Sequence, residues 1–375
     1  MTSLTSKERL LRLLRGEPID RVPIAPRVYR NVVFEFFGTK EIDVVEGMVA
    51  YCRHYGFDII DWNCTPPIEE FAIEGPNWHV TSRQEVSGDT TYEIVRVTTP
   101  GGDLQRCYAT TVIGPWEVET ALVEYPIKTE RDFDLLCEYQ PPVATLDTSS
   151  IVRAMRLIGE DGIVSPSLHG PFNILVYYYR KLDDLLLDIR LNPGFYHRMM
   201  AYFTQRHEAY LEQFLATGAP LIDIGANVAN SKLVGARFWV ENMLPYENRF
   251  ADCVQERGAA ALFHNCGYAA AHLSVYPRLH HRVWGYLAPP PHGDTDLAAA
   301  VEALPNSMLL WGHVDQIDFL RRATPAQIDE RVRQIMELIK PRGNYILGTT
   351  DYLEVDTPPA NLQALVEAGM KYGHN

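Results

Sequence analysis

Residues 259–267 read Ala-Ala-Ala-Leu-Phe-His-Asn-Cys-Gly, an apolar run that ends in a histidine and a cysteine. The run has the length of a short buried strand, and an apolar helical pattern resumes after Gly267. His264 and Cys266 are two residues apart, so in an extended chain their side chains point to the same side. The stretch therefore predicts a strand whose C-terminal end carries an imidazole and a thiol.

The same alternation of a short apolar run and a helical segment recurs along the chain. The strand candidates are residues 21–26, 57–62, 163–168, 221–226, 260–264, 283–287, 308–312 and 345–348. Helices are predicted between them, the first opened by a capping box of Thr5 and Glu8. Eight strands separated by helices predict an α/β fold of the closed (β/α)8, or TIM barrel, type.

One segment departs from this alternation. Between residues 77 and 113 the apolar period is close to two, and turn residues such as Gly101 and Gly102 interrupt it. This pattern is typical of antiparallel strands. We expect a β-hairpin insertion over 77–113, after the second strand, within a single domain that covers residues 1–375.

Composition excludes several classes of partner. The net charge is −14 and no Lys/Arg-rich block occurs, which argues against nucleic acid and anionic membranes. The six cysteines lack the spacing of a disulfide scaffold, and no apolar run reaches about 18 residues, the length of a membrane-spanning helix. The N-terminus carries charged residues where a signal peptide needs an apolar stretch. We expect a soluble, cytoplasmic protein.

Polar residues follow the predicted strands at their C-terminal ends, which form the active-site face of such barrels. The candidates are Asp61 and Asn63, His169, Asp223 and Asn227, His264 and Cys266, His313, and Asp351. Some of these are explained equally well as helix caps. The His264/Cys266 pair is also compatible with a satisfied histidine beside a small buried thiol, or with zinc. Asp61 and Asp223 lie in apolar strands, where an unpaired carboxylate is costly.

Several motifs together carry a resemblance to a known family. They are residues 16–23 after the first helix, Tyr55-Gly56-Phe57-Asp58, Leu244-Pro245-Tyr246, residues 263–267, Gly312-His313-Val314-Asp315 and residues 356–361. The chain resembles the uroporphyrinogen decarboxylase superfamily, and within it the corrinoid-dependent methyltransferase branch. The resemblance covers nearly the whole chain and implies a TIM barrel.

The resemblance also separates two branches. The decarboxylase proper carries an Arg-rich N-terminal motif, which residues 23–30 do not match. The methyltransferase branch carries His-x-Cys after strand five, matched by His264 and Cys266, and a second Cys six residues before Thr-Pro. Asp351 stands at that last position. A zinc site of His264, Cys266 and Asp351 is possible but not favoured, because a carboxylate replaces a thiolate.

The resemblance implies a methyltransferase that exchanges a methyl group between a corrinoid protein and tetrahydrofolate, whose N5 needs no metal activation. The cobalamin is expected on the partner, since the chain lacks an Asp-x-His-x-x-Gly motif. The assigned roles are Asp223 and Asn227 for the pterin, with Asp61 and Asn63 as second choices; His169 and His313 for further substrate contacts; and His264, Cys266 and Asp351 for the reactive centre. Trp62 and Tyr286 are expected in an apolar rim.

Three alternatives remain open from the sequence. One is a decarboxylase in which Asp61 pairs with pyrrole N–H groups. Another is a zinc-dependent methylcobalamin:thiol methyltransferase, in which the metal holds the acceptor as a thiolate. The third is a catalytically silent binding subunit.

Overall fold

The computed structural model describes residues 3–374. The helices are α1 (Ser6–Arg15), α2 (Arg30–Phe37), α3 (Val44–Tyr55), α4 (Glu130–Tyr139), α5 (Ser149–Ile158), α6 (Pro171–Ile174), α7 (Leu182–Leu191), α8 (Pro193–Leu215), α9 (Ala236–Asn242), α10 (Leu244–Glu256), α11 (Leu297–Ala303), α12 (Pro325–Ile339) and α13 (Pro359–Tyr372). Short 3-10 or π turns lie between some of them. Within residues 3–374, every helix is too short or too polar to cross a membrane.

The strands are β1 (Ile59–Asp61), β2 (His79–Ser87), β3 (Thr90–Thr99), β4 (Gly102–Val112), β5 (Val118–Glu124), β6 (Gly162–Val164), β7 (Ser167–His169), β8 (Leu221–Gly225), β9 (Ala260–His264), β10 (Val283–Leu287), β11 (Leu309–Val314) and β12 (Tyr345–Thr349). They form a six-stranded sheet in the order β12-β11-β10-β9-β8-β7, a β1-β6 pair, and a four-stranded sheet in the order β2-β3-β4-β5.

The chain divides into two compact units. The parallel-sheet unit comprises residues 3–65, 148–168 and 214–374. The antiparallel-sheet unit comprises Pro66–Asp147 and His169–Gln213. The single domain expected over residues 1–375 stays a prediction.

In the parallel-sheet unit, β8 to β12 pair in parallel with their sequential neighbours, and β1 pairs in parallel with β6. Backbone hydrogen bonds also join Ala25 N to Leu347 O (2.8 Å) and Asp58 N to Ile24 O (2.8 Å). A further bond joins Asp223 N to Pro166 O (3.0 Å). The predicted α/β fold with a parallel sheet is confirmed. Closure of the sheet into a (β/α)8 barrel stays a prediction.

Proline accounts for the main differences from the predicted elements. Residues 21–26 form isolated bridges, such as Ile24 with Leu347, because Pro23 and Pro26 have no N–H for a ladder. Pro166 separates β6 from β7 within the predicted strand 163–168. The sequence between the predicted strands 221–226 and 260–264 predicts one helix over residues 236–257. The structure has two helices there, and Pro245 lies in the first turn of the second.

Other local predictions hold. The first helix begins at Ser6 after the N-cap Thr5, and the reciprocal capping box with Glu8 is present. Strands β9 and β10 have the predicted bounds.

The antiparallel-sheet unit contains the β-rich segment predicted at 77–113. Strands β2, β3 and β4 lie in that segment, and the sheet continues through β5 to Glu124. The register places Tyr108 of β4 opposite Glu93 of β3 and Leu122 of β5. The sheet is therefore one strand larger than the predicted hairpin segment.

The core of the parallel-sheet unit decides which strand residues face inward. Leu262, Tyr286, Trp311 and Ile346 belong to one buried cluster, against which Ile60 and Cys266 pack. Because side chains alternate along a strand, Asp61 points away from the cluster that Ile60 contacts. Cys266, which follows β9, packs on this cluster, and the candidate site lies next to it at the C-terminal ends of β8, β9 and β12.

Candidate active site

A buried arginine organises the site. Arg27, 5% exposed, follows Pro26 at the end of the proline-interrupted segment. Its Nη1 donates to Asp223 Oδ2 at 2.8 Å and lies 3.1 Å from His264 Nδ1. The same histidine nitrogen lies 3.3 Å from Asp223 Oδ1. Asp223 thus contacts Arg27 through one carboxylate oxygen and His264 through the other.

Two aromatic rings flank the guanidinium of Arg27. Its Cζ lies 4.3 Å from the centroid of the Trp62 ring and 4.5 Å from that of Tyr286. Tyr286 has a φ of 68°, and the register between β10 and β11 shifts between Gly285 and Leu287. This bulge turns the Tyr286 ring toward Arg27, and the face of the ring attracts the guanidinium.

Arg27 and Asp223 are both ionised at neutral pH. Burial alone would raise the pKa of Asp223, but the charge of Arg27 and the neighbouring His264 outweigh it and lower the pKa to about 2. Burial likewise opposes the charge on Arg27. The neighbouring Tyr286, Asp223 and Asp351 nevertheless raise its pKa above the ordinary value. Arg27 and Asp223 are therefore a permanent buried ion pair.

Three potential metal ligands meet next to this pair. His264, Cys266 and Asp351 are half-buried, and one ligand atom from each lies within 4.8 Å of the others. Arg27 Nε lies 3.7 Å from Asp351 Oδ1, and it has no hydrogen-bond partner among the described residues. Burial, and then the nearby Asp351, raise the pKa of Cys266 well above its usual value. The nearby Arg27 acts in the opposite direction but does not outweigh burial, so Cys266 by itself is a neutral thiol.

The donor set fits zinc. Imidazole, thiol and carboxylate are all zinc ligands, and three protein ligands with one open position are the usual catalytic set. Asp223 beside His264 Nδ1 also matches a common arrangement, in which a carboxylate orients a metal-bound imidazole. In that arrangement the other ring nitrogen, Nε2, would be the metal ligand. Arg27 balances the charge of Asp223 and leaves Asp351 for the metal.

Asp61 and Asn63, predicted as substrate contacts, bond to each other. Asp61 Oδ1 accepts from the backbone N and the Nδ2 of Asn63, both at 2.9 Å. Asp61 is 0% exposed, its Oδ2 has no hydrogen-bond partner in residues 3–374, and burial raises its pKa. It lies on the side of β1 opposite Ile60. This placement is that of a buried, turn-stabilising carboxyl group.

His313 bonds to groups outside the metal-ligand set. Its Nε2 lies 3.0 Å from Thr295 O, and its Nδ1 lies 2.8 Å from Arg331 Nη2 in α12. Burial and the Arg331 charge lower the pKa of His313 to about 4. Both ring nitrogens are engaged, and the imidazole is neutral.

The remaining predicted contacts occupy two different places. Asn227 follows β8, and its carbonyl oxygen accepts from Asn230 Nδ2 at 3.1 Å. His169 belongs to the antiparallel-sheet unit, where its ring lies 4.6 Å from that of Tyr177. The structure therefore brings together Asp223, His264, Cys266 and Asp351 from the predicted set.

Arg27 is not among the site residues predicted from the sequence, although it follows the first predicted strand at its C-terminal end. The available signal was a cation directly after Pro26, at a face that otherwise carries carboxylates and histidines.

Comparison with known proteins identifies the family. A family model described as uroporphyrinogen decarboxylase (URO-D) matches residues 113–372. The chain belongs to the uroporphyrinogen decarboxylase family.

Curated relatives agree with the predicted branch. The methylcobamide:CoM methyltransferase MtbA of Methanosarcina mazei is 24% identical over 379 residues, 99% of each chain. Its namesake in Methanosarcina acetivorans is 23% identical over 381 residues, again 99% of each. A methylated-thiol–coenzyme M methyltransferase of M. mazei is 24% identical over 205 residues, 55% of this chain and 52% of that one. The predicted corrinoid-dependent methyltransferase branch is confirmed.

A solved structure agrees in fold. A methyltransferase from Methanosarcina mazei superposes with a TM-score of 0.70 at 14% identity, covering 99% of both chains. At this identity the likeness shows the fold alone.

Proposed function

We propose that this URO-D family protein transfers a methyl group from the methylated corrinoid of a partner protein to a thiol. The observation that carries the proposal is the convergence of His264, Cys266 and Asp351 within 4.8 Å, beside the buried Arg27–Asp223 pair. The two relatives that span the whole chain are named as methylcobamide:CoM methyltransferases. Their names agree with a thiol acceptor.

The chain's own residues prepare this site. A zinc ion held by His264, Cys266 and Asp351 would bind the acceptor thiol and lower its pKa, which produces the nucleophilic thiolate. Asp223 Oδ1 lies 3.3 Å from His264 Nδ1, so this carboxylate would orient the ring when the other nitrogen, Nε2, binds the metal. Cys266 must release its proton when it becomes a ligand, so metal affinity rises with pH.

An aromatic rim supports a flat methyl donor. Tyr29 stacks on Trp62 at 4.8 Å between centroids and lies 5.4 Å from Tyr352, which is 38% exposed. These rings lie in the same unit as Arg27 and offer an apolar surface for a macrocycle. We infer that the corrinoid is carried by a separate protein that docks there.

Tetrahydrofolate is the second candidate acceptor. The substitution of Asp351 for the branch's second thiolate favours it, because N5 of the folate needs no zinc. Its predicted pterin contact, Asp223, is however 1% exposed and uses both oxygens on Arg27 and His264. The geometry therefore supports a thiol better than a pterin at this position.

We also infer that the parallel-sheet unit closes into a (β/α)8 barrel. Support comes from the bonds that join residues 24 and 25 to Asp58 on one side and to Leu347 on the other. A cytoplasmic location accords with six free cysteines.

A direct assay separates the candidates. Purified protein is supplied with methylcobalamin and either 2-mercaptoethanesulfonate or tetrahydrofolate, and zinc is measured by elemental analysis. We expect methylation of the thiol and about one zinc per chain, as a single three-ligand site requires. Cys266→Ala should lose both, whereas Cys253→Ala on α10 should keep both.

Three results would contradict the proposal. Folate turnover in zinc-free protein would favour the second candidate. Turnover of a porphyrinogen would favour a decarboxylase. Full thiol methylation by Cys266→Ala would show that the reaction does not require a metal at this site.

A further inference from the structure

The antiparallel-sheet unit contains a cleft of about 690 Å³. One wall is the face of the sheet formed by β3, β4 and β5, and the other carries Tyr177, Tyr178 and His169. The volume lies in the range of small-molecule sites. We propose that this cleft binds a small zwitterion with a flat apolar body, its carboxylate on Arg106 and its ammonium group on Glu93. The inference does not depend on methyl transfer.

The polarity of the sheet face changes along β4. Leu104 is 3% exposed, and Arg106, Tyr108 and Thr110 follow on the same face at alternate positions. Across the strands, Tyr108 is opposite Glu93 and Leu122. Arg106 is the first polar residue above an apolar layer, so it lies at the inner end of the row.

Arg106 is a buried cation with unused donors. It is 5% exposed, and its described ion-pair partner is Glu69, whose Oε2 lies 2.9 Å from Nη2. The Nε is buried without a hydrogen-bond partner in the described part of the chain. A guanidinium has five N–H donors in a planar fork suited to carboxylate. A ligand carboxylate would supply the acceptors that the protein does not.

The remainder of the cleft suits the other parts of a zwitterion. The guanidinium of Arg106 lies 5.0 Å from the centroid of the Tyr108 ring, and the Tyr177, Tyr178 and Tyr125 rings add further apolar faces. Glu93, directly opposite Tyr108, is exposed at the rim. Tyrosine faces together with carboxylates attract ammonium groups.

The spacing sets the ligand's length. Arg106 and Glu93 are diagonal neighbours in the register, so their backbones lie roughly 7–8 Å apart. A para-substituted benzene with a carboxylate and an aminomethyl group separates its charges by a comparable length. A simple anion would satisfy Arg106 but would meet the acidic rim, and a simple cation would leave Arg106 unsatisfied.

The test uses three matched probes and the full chain. They are 4-(aminomethyl)benzoate, which is a zwitterion, 4-methylbenzoate, which lacks the cation, and 4-methylbenzylamine, which lacks the anion. Binding is followed by calorimetry and by ligand-observed NMR. We expect the zwitterion to bind at least about tenfold more tightly than either single-charge probe, the loss expected for one charge-assisted contact.

Variants assign the two ends. Arg106→Gln should weaken the zwitterion and the anion by about tenfold or more and leave the cation unaffected. Glu93→Gln, at an exposed position that does not threaten folding, should weaken the zwitterion and the cation only. Arg96→Gln is the matched control, because Arg96 is exposed on the opposite face of the same sheet, paired with Asp103.

Equal affinity for all three probes, or the absence of binding by the zwitterion, would overturn the inference. So would a zwitterion affinity that Glu93→Gln and Arg96→Gln change equally. Tighter binding of either single-charge probe than of the zwitterion would also replace the zwitterion by that class.

Discussion

Replacing Asp223 by asparagine tests the buried network most directly. The amide keeps the shape of the side chain and removes the charge that Arg27 contacts at 2.8 Å. Arg27 then has one carboxylate neighbour, Asp351, at 3.7 Å. We expect Arg27 to move toward Asp351 and to bind its carboxylate oxygen. That oxygen is then no longer available to a metal, and His264 loses its charged partner Asp223. Asp223→Asn should therefore reduce both stability and zinc affinity.

The magnitude follows from the pKa of the carboxylate. A pKa of about 2 against an ordinary value of about 3.9 corresponds to about 2.5 kcal/mol in favour of the ionised, folded form. The pKa is depressed, so this stabilisation is present above pH 4 and is lost as the pH falls through 2. Removing one partner of a buried pair costs about 3–5 kcal/mol. We expect a loss of about 3 kcal/mol at pH 7 and of about 10–100-fold in zinc affinity.

The assay combines urea unfolding with zinc competition against a chromophoric chelator. Asp58→Asn is the matched control, because Asp58 is also buried and contacts Arg9 at 2.8 Å and Arg21 at 2.7 Å. It should destabilise the fold and leave the zinc affinity of the folded protein unchanged. If Asp223→Asn binds zinc as the unmodified protein does, or if both variants lose zinc equally, Asp223 does not position His264.

Three further outcomes are expected. Asp351→Cys should raise zinc affinity in the same competition assay, because a thiolate is the softer ligand; an unchanged affinity would show that residue 351 is not a ligand. Cys266 in metal-free protein should react with iodoacetamide more slowly than free cysteine at pH 7, because burial raises the pKa of its thiol. Comparison with the Cys266→Ala variant shows which part of the labelling is on Cys266. Glu247→Gln should stabilise the protein by about 3 kcal/mol at pH 7, because burial raises the pKa of Glu247 to about 8. The unmodified protein therefore loses stability as the pH rises from about 4.3 to 8. The difference in unfolding free energy between Glu247→Gln and the unmodified protein should be larger at pH 8 than at pH 5, and an equal difference at both pH values would refute this.

The strands that frame the site could be predicted because buried parallel strands read as apolar runs. The bounds of β9 and β10 follow from that signal alone. The convergence of His264, Cys266 and Asp351 follows from a rule of topology, since the C-terminal ends of parallel strands lie at one edge of the sheet.

Arg27 could not be predicted in the same way. Its place after the first predicted strand could be read from the sequence, but its partner Asp223 is 196 positions further along the chain, and no local pattern predicts that pairing. Asp61 was selected because of its apolar neighbours, but the sequence does not say which face of a strand is inside. A shift of one residue exchanges the two faces, and in the structure it is Ile60 that faces the core. No sequence pattern predicts the positive φ of 74° at His313.

The burial of the Arg27–Asp223 pair has a consequence for experiments in salt. Dissolved ions screen exposed charges over about 10 Å at 0.1 M ionic strength, but they do not penetrate between side chains that are 5% and 1% exposed. Docking of the proposed corrinoid protein on this acidic chain, with its net charge of −14, remains open to screening. Ionic strength therefore changes the rate of association and leaves the electrostatics of the reacting centre as they are. In a turnover assay, a salt series separates the docking step from the transfer step.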